Sequence, residues 1–162
     1  RWRDDRASDA RPTDAREIKS VAISGPGSYN VSLMQREDVS ILIVDDVNTI
    51  RVQIRELLKS FGFKKIATAQ NGIEAQVLLE SEPVHIILAD WHMSPVDGHE
   101  LLLWVRAHRK LARTAFIMVT AENTQAMVVK ALKNGVDDFV IKPLTPMQIQ
   151  NKVYGVLLKK LT

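Results

Sequence analysis

Five polar residues stand directly after short apolar runs. Asp45 and Asp46 follow Ile41-Leu42-Ile43-Val44, Asp90 follows Val84 to Ala89, Thr120 follows Ala115 to Val119, and Lys142 follows Phe139-Val140-Ile141. Each run reads as a buried strand closed by polar or turn residues, so each polar residue sits at a carboxyl end. Three carboxylates brought together repel, and burying unpaired charge is costly. A hard divalent cation resolves the conflict, and an all-oxygen site suits Mg²⁺. The cation would also neutralise an incoming phosphoryl group. A carboxylate in such a site can act as a nucleophile and become an aspartyl-phosphate. Asp90 is the candidate acceptor, because it ends a fully apolar strand and Pro95 and Asp97-Gly98 then turn the chain. Lys142 supplies positive charge for phosphoryl oxygens, and Thr120 supplies a hydroxyl donor. Singly, each residue has a plainer reading. Asp45-Asp46 could cap a helix, Thr120 could cap the next one, and Lys142 could be a snorkelling surface lysine. Their joint occurrence at strand ends favours the shared site.

The elements that must position them alternate regularly. Ile41 to Val44 is the first strand, and Ile50, Ile54, Leu57, Leu58 and Phe61 mark one face of the helix after it. Gly62 ends that helix. Lys64 to Thr68 is the second strand, and Asn71-Gly72 opens a helix through about Glu80. The strand ending at Asp90 follows, then a helix from Gly98 through about His108. Ala115 to Val119 is the fourth strand, Thr124 to Asn134 a helix stopped by Gly135, and Phe139 to Ile141 the fifth strand. The last helix has Thr145 as N-cap, Pro146 as its first residue and Gln148 as the reciprocal cap. Near-continuous apolar strands alternating with helices predict an α/β fold, a doubly wound, flavodoxin-like five-stranded parallel sheet in the order 2-1-3-4-5. An eight-fold barrel needs about twice the length. In this order strands one, three, four and five are neighbours, so the five polar side chains converge at one edge.

Composition bounds the rest. The chain has 162 residues, a net charge of +3 and no cysteine, which excludes disulfides and thiolate metal sites and fits a reducing, cytoplasmic setting. The basic residues are spread, which argues against direct nucleic-acid binding. No apolar run approaches the ~20 residues of a membrane span, and no signal-peptide core is present. Residues 1–38 lack apolar periodicity and read as an extension (a tail, tag or linker), with at most a short helix from Thr13 to Ile23 and with Met34 as a plausible natural start. Residues 39–162 form the folded domain.

The pattern resembles the receiver domain of two-component response regulators, most closely its single-domain, CheY-like chemotaxis members, over about Val39 to Leu161. The motifs that carry the resemblance are Ile43-Val44-Asp45-Asp46, Asp90-Trp91-x-Met93 followed by Asp97-Gly98, Met118-Val119-Thr120-Ala121-Glu122, and Asp138-Phe139-x-x-Lys142-Pro143. It implies that Asp90 takes a phosphoryl group from the phosphohistidine of a sensor histidine kinase (CheA-like). It implies that Asp46 and Asp90 bind Mg²⁺, with the backbone carbonyl of His92 as a further ligand and Asp45 acting through metal-bound water. Thr120 and Lys142 would hold the phosphoryl group, Phe139 would occupy the aromatic switch position, and a cis peptide would precede Pro143. Output would be to a downstream protein, through the fourth helix, fifth strand and fifth helix of a monomer. Two departures stand out. Ser94 occupies the place where the family usually has Pro, with Pro95 one later, and Phe139 lacks the hydroxyl of the usual Tyr. His92 and Glu122 flank the phosphoryl site and are expected to set the lifetime of the phosphate by controlling access of water.

Other readings are a receiver belonging to a larger response regulator or hybrid kinase, a small phosphatase with an aspartyl nucleophile, and a flavin-binding version of the fold. The phosphatase needs a general acid and a cap for which no insertion is long enough. Three acids at the phosphate-binding edge argue against flavin. His85 reads as a packed or edge residue, and Trp104 as packing. His99 and His108 are poorly placed for a metal pair. Trp91 reads as a cover for the acid site or a partner contact, and Lys130 and Lys133 as a solvated face that could meet a partner.

Overall fold

The computed structural model describes residues 35–161. The expected helix from Thr13 to Ile23 lies outside the described residues. Five strands and five α-helices alternate: β1 (Ser40–Val44), α1 (Asn48–Ser60), β2 (Lys65–Ala69), α2 (Gly72–Ser81), β3 (Ile86–Ala89), α3 (Gly98–Ala107), β4 (Ala115–Thr120), α4 (Gln125–Lys133), β5 (Asp138–Ile141) and α5 (Pro146–Leu161). All strand pairs are parallel, in the order β2-β1-β3-β4-β5. This is the doubly wound topology that the alternation predicts.

Both faces of the sheet are covered. Alternate residues of the central strands point to opposite sides, so Ile41, Ile43, Leu88 and Ile117 join α1 and α5 in one core, while Leu42, Val44, Ile87 and Phe116 join α2, α3 and α4 in the other. That is why β1, β3 and β4 read as continuous apolar runs. Side-chain caps fix the starts of α2, α3, α4 and α5. Asn71 accepts from Glu74 N, Asp97 from Glu100 N, Thr124 from Met127 N and Thr145 from Gln148 N. Gly135, with φ 89°, adopts the left-handed conformation that stops α4.

Packing begins a few residues ahead of residue 39. Arg36–Asp38 form a 3-10 turn. Arg36 Nη1 donates to Phe61 O at 2.8 Å, its guanidinium lies 4.5 Å from the Tyr154 ring centroid, and Glu37 pairs with Lys64 at 2.8 Å. These contacts join residues far apart in sequence, so no local period announces them.

A second feature sits at the amino ends of β4 and β5. Asp137 Oδ2 accepts from Phe116 N at 2.8 Å and from Arg106 Nη2 at 3.0 Å, while Oδ1 pairs with Lys160 at 3.2 Å. Arg106 also donates to the carbonyls of Ala112, Thr114 and Gly135. Two ion pairs that share Asp137 thus fasten α3, α5 and the α4–β5 turn to the sheet. Asp137→Ala strands the Arg106 charge and the Phe116 N–H, and should destabilise the fold by about 3 kcal/mol. Urea unfolding would show a lower midpoint with little change in slope.

Candidate functional site

The carboxyl ends of four strands meet at one edge. The ladder runs one residue past several strands: Asp45 N donates to Ala69 O, Asp90 N to Val44 O and Lys142 N to Thr120 O. These bonds fix where the functional side chains leave the backbone. Thr120 itself closes β4 and is fully buried. Gly98 lies against the Asp90 carbonyl, where a Cβ would collide with it, and Gly98 N donates to Trp91 O at 2.8 Å. The first residue of α3 therefore clamps the turn that carries Asp90.

Adjacent acids at the end of β1 point to different environments. Asp45 is 1 % exposed, whereas Asp46 is exposed to solvent. Asp45 Oδ1 accepts from Val47 N at 2.9 Å, so part of its role is to shape the turn into α1. Its side chain does not cap the helix itself, whose N-cap is Val47. Asp45 Oδ2 and Asp90 Oδ2 share the Lys142 ammonium, at 2.9 and 3.1 Å. Carboxylate oxygens of Asp45, Asp46 and Asp90 lie within 4.8 Å of one another. An all-oxygen cluster, open on the Asp46 side and partly balanced by one lysine, fits a hard divalent cation such as Mg²⁺.

The electrostatics follow from burial. Burial pushes the Asp90 carboxyl above its ordinary value and nearby Asp45 adds to this, while Lys142 and the Trp91 N–H oppose it. For Lys142, burial works against the charged form, but the hydrogen bonds it donates to Asp45 and Asp90 prevail and hold the ammonium above its ordinary value. Thr120 Oγ1 accepts from Glu122 N at 3.2 Å, a bond that does not use the hydroxyl proton.

Around this centre the remaining candidates fall into place. His92 and Glu122 are both exposed, and His92 Nε2 lies 3.2 Å from Glu122 Oε2, linking the loops after β3 and β4. Phe139 is half-buried, paired in register with Met118 and packed against the α2–α4 core. Trp91 is buried, 6 % exposed, and stacks on His99. The Lys142–Pro143 peptide is cis, and so is Ser94–Pro95. His85 precedes β3, and its Nδ1 lies 2.9 Å from both Ser40 N and Ser40 Oγ. His108 lies between the Trp104 ring and Glu80. The Asp137–Arg106 pair and the His99 contacts were not singled out from sequence. Arg106 and His99 both stand on α3, and no local pattern links either to its distant partners.

The response regulator receiver domain family matches residues 41–154. The chain belongs to this family. This receiver is 38% identical over 120 residues to the chemotaxis protein CheY homolog of Campylobacter jejuni, covering 74% of this chain and 92% of that protein. It is 33% identical over 120 residues to the chemotaxis protein CheY1 of Helicobacter pylori, covering 74% and 97%. The structure of chemotaxis protein CheY4 of Vibrio cholerae shares the fold, with a TM-score of 0.69 at 24% identity over 73% of this chain and 98% of that one. Receivers of this family bind Mg²⁺ at an acidic pocket and act with histidine kinases and downstream proteins.

Two substitutions separate the costs in the site. Folding raises the Asp90 pKa, so its ionised form costs the native state stability, and that cost sets in as pH rises through the raised value. Asp90→Asn should therefore raise the melting temperature at pH 7. The gain should shrink on acidification and vanish below the ordinary carboxylate pKa of about 4. Lys142→Ala leaves Asp45 buried without its cation and should cost about 3 kcal/mol. Calorimetry of both variants at pH 7 and at acid pH would measure the opposite signs.

Proposed function

We propose that this receiver is a phosphorylation-driven switch in which Asp90 accepts a phosphoryl group from a histidine kinase, with Mg²⁺ held by Asp46 and Asp90. The observation that carries the reading is the single Lys142 ammonium shared by Asp45 and Asp90 at the edge where four strands end. An oxygen of the Asp90 carboxylate attacks phosphorus, the phosphorus–nitrogen bond of the donor phosphohistidine breaks, and its electron pair leaves on the imidazole. Mg²⁺, when bound, neutralises charge on the transferring group. Lys142 is within reach of Asp90 and can move its charge to a phosphoryl oxygen, while Thr120 offers its hydroxyl proton. When the ion is bound, the carbonyl of His92 would be a further ligand and Asp45 would act through metal-bound water.

Output follows from the same edge. Thr120 and Phe139 lie on neighbouring strands beside α4, so a group bonded to Thr120 alters the packing available to Phe139. The responding surface is α4, β5 and α5. On α4, Val129 and Leu132 are exposed beside a shallow groove of about 670 Å³ lined by Gln125, Lys130, Lys133 and Asn134. An apolar patch rimmed by lysines suits a protein segment bearing acidic and apolar side chains. The receiver works as a cytoplasmic monomer of the chemotaxis type, with no direct contact to nucleic acid. Among the described residues, no helix is long and apolar enough to cross a membrane.

Intact mass after incubation with acetyl phosphate and Mg²⁺ tests the reading. One phosphoryl group should be gained, and lost in Asp90→Asn and without metal. No gain under conditions that phosphorylate a reference receiver would overturn it. Replacing His92 and Glu122 together should speed loss of the phosphate severalfold, since their pairing then no longer screens the site from water. An unchanged dephosphorylation rate would remove that role.

A further inference from the structure

His99 is the second residue of α3 and is 8 % exposed. A buried imidazole must have its nitrogens accounted for, and each partner fixes which of them carries the proton. Nε2 lies 3.0 Å from the side-chain nitrogen of Asn134, the residue that caps the end of α4. That same amide nitrogen donates to Lys130 O at 2.7 Å. Turning the amide over would press its oxygen against the Lys130 carbonyl, so the nitrogen faces both partners and gives one hydrogen to each. Nε2 is therefore the acceptor, and the ring proton is on Nδ1. The flat of the ring stacks on Trp91, with centroids 5.4 Å apart and planes inclined by 11°. Trp91 is the residue after Asp90. One imidazole thus touches the turn that carries the phosphoacceptor and the end of the helix on the proposed output face.

We propose that His99 is a positioning residue that ties Trp91 to the C-terminal end of α4 through Asn134, and that protonating it releases this end and favours phosphorylation of Asp90. The second clause rests on the receiver reading above, and the first stands without it. Protonated His99 presents Nε2–H to the Asn134 amide hydrogens, donor against donor. The amide cannot turn to meet it without setting its oxygen against Lys130 O. The charged groups around the ring are few. Lys130 on α4 opposes a second positive charge, while Asp97 and Glu100 at the start of α3 favour it, and Trp91 brings none. Burial, reinforced by Lys130, keeps the ring below the ordinary imidazole value. The latch is therefore closed at neutral pH and opens on acidification.

The test uses the full chain. Proton–nitrogen NMR spectra between pH 8 and 5 should show the Lys130–Gly135 amides and the Trp91 indole N–H shifting together, with the midpoint of the His99 Cε1 proton. His99→Gln keeps an acceptor near the Nε2 position but does not titrate, so its α4 signals should stay at the wild-type high-pH positions. His99→Leu has no acceptor, and its signals should stay at the low-pH positions. Amides of α4 that ignore the His99 titration, or that shift alike in His99→Gln, would overturn the latch, and the wild-type titration alone suffices if a variant fails to fold. Phosphorylation by acetyl phosphate is then compared as the ratio of wild type to His99→Gln, which cancels every other titrating group. The ratio should rise about threefold to tenfold on acidification, the worth of one hydrogen bond. A flat ratio would overturn the link to Asp90. A wild type that takes no phosphoryl group while its NMR titration behaves as described would sink the receiver reading and leave the latch standing.

Discussion

One ammonium group holds this structure to its purpose. Asp45 and Asp90 are carboxylates withdrawn from water, and neither burial is tolerable without a nearby positive charge. Lys142 supplies it from the other end of the chain, at 2.9 and 3.1 Å. The contact is possible because β1 and β3 are neighbours and β4 alone separates β3 from β5. The strand order and the charge balance therefore require one another. A parallel sheet lets four strands end at the same edge, and that edge is where a lysine can serve two acids at once. The balance is incomplete by design of composition, since Asp46 adds a third carboxylate nearby and faces solvent.

The opposite edge solves a similar problem for a different end. Arg106 and Asp137 are also largely withdrawn from water, but their partners are backbone groups and each other. Nothing there is left over for a ligand, and Lys160 completes the neutralisation. One buried charge cluster is closed and structural, the other open and short of positive charge. That difference sets the Asp90 edge apart and is what suits it to the proposed uptake of a cation and a phosphoryl group.

Much of this was legible in the sequence, because it rests on local periodicity. Continuous apolar strands, the turn signals at Asn71-Gly72 and Asp97-Gly98, the N-cap at Thr145, and Gly135 after α4 gave the alternation and so the sheet order. The position of each chemical residue at a strand end followed. What was not legible depends on which side of the pleat a residue takes or on contacts between distant elements. Asp45 and Asp46 are the same residue type in adjacent positions, and only the fold shows that the first is buried and the second open. Arg106 reads as a surface residue of an amphipathic helix until Asp137 is brought beside it. His99 read only as a helical histidine poorly placed for a metal pair with His108, because Trp91 and Asn134 meet it only through tertiary packing. The docking of Arg36 was hidden for the same reason, which placed the expected edge of the domain at residue 39 although its contacts begin earlier.

The Arg36 clamp also sets a direction. Its guanidinium is fastened to Phe61, where α1 ends, and to the Tyr154 ring, while Glu37 is tied to Lys64 just before β2 starts. Helices here run back along the strands, so these anchors belong to the pole of the molecule farthest from Asp90. Gln35, the first described residue, stands at that pole. The point where the described chain begins and the acid edge therefore lie at opposite poles of the sheet, and neither crowds the other.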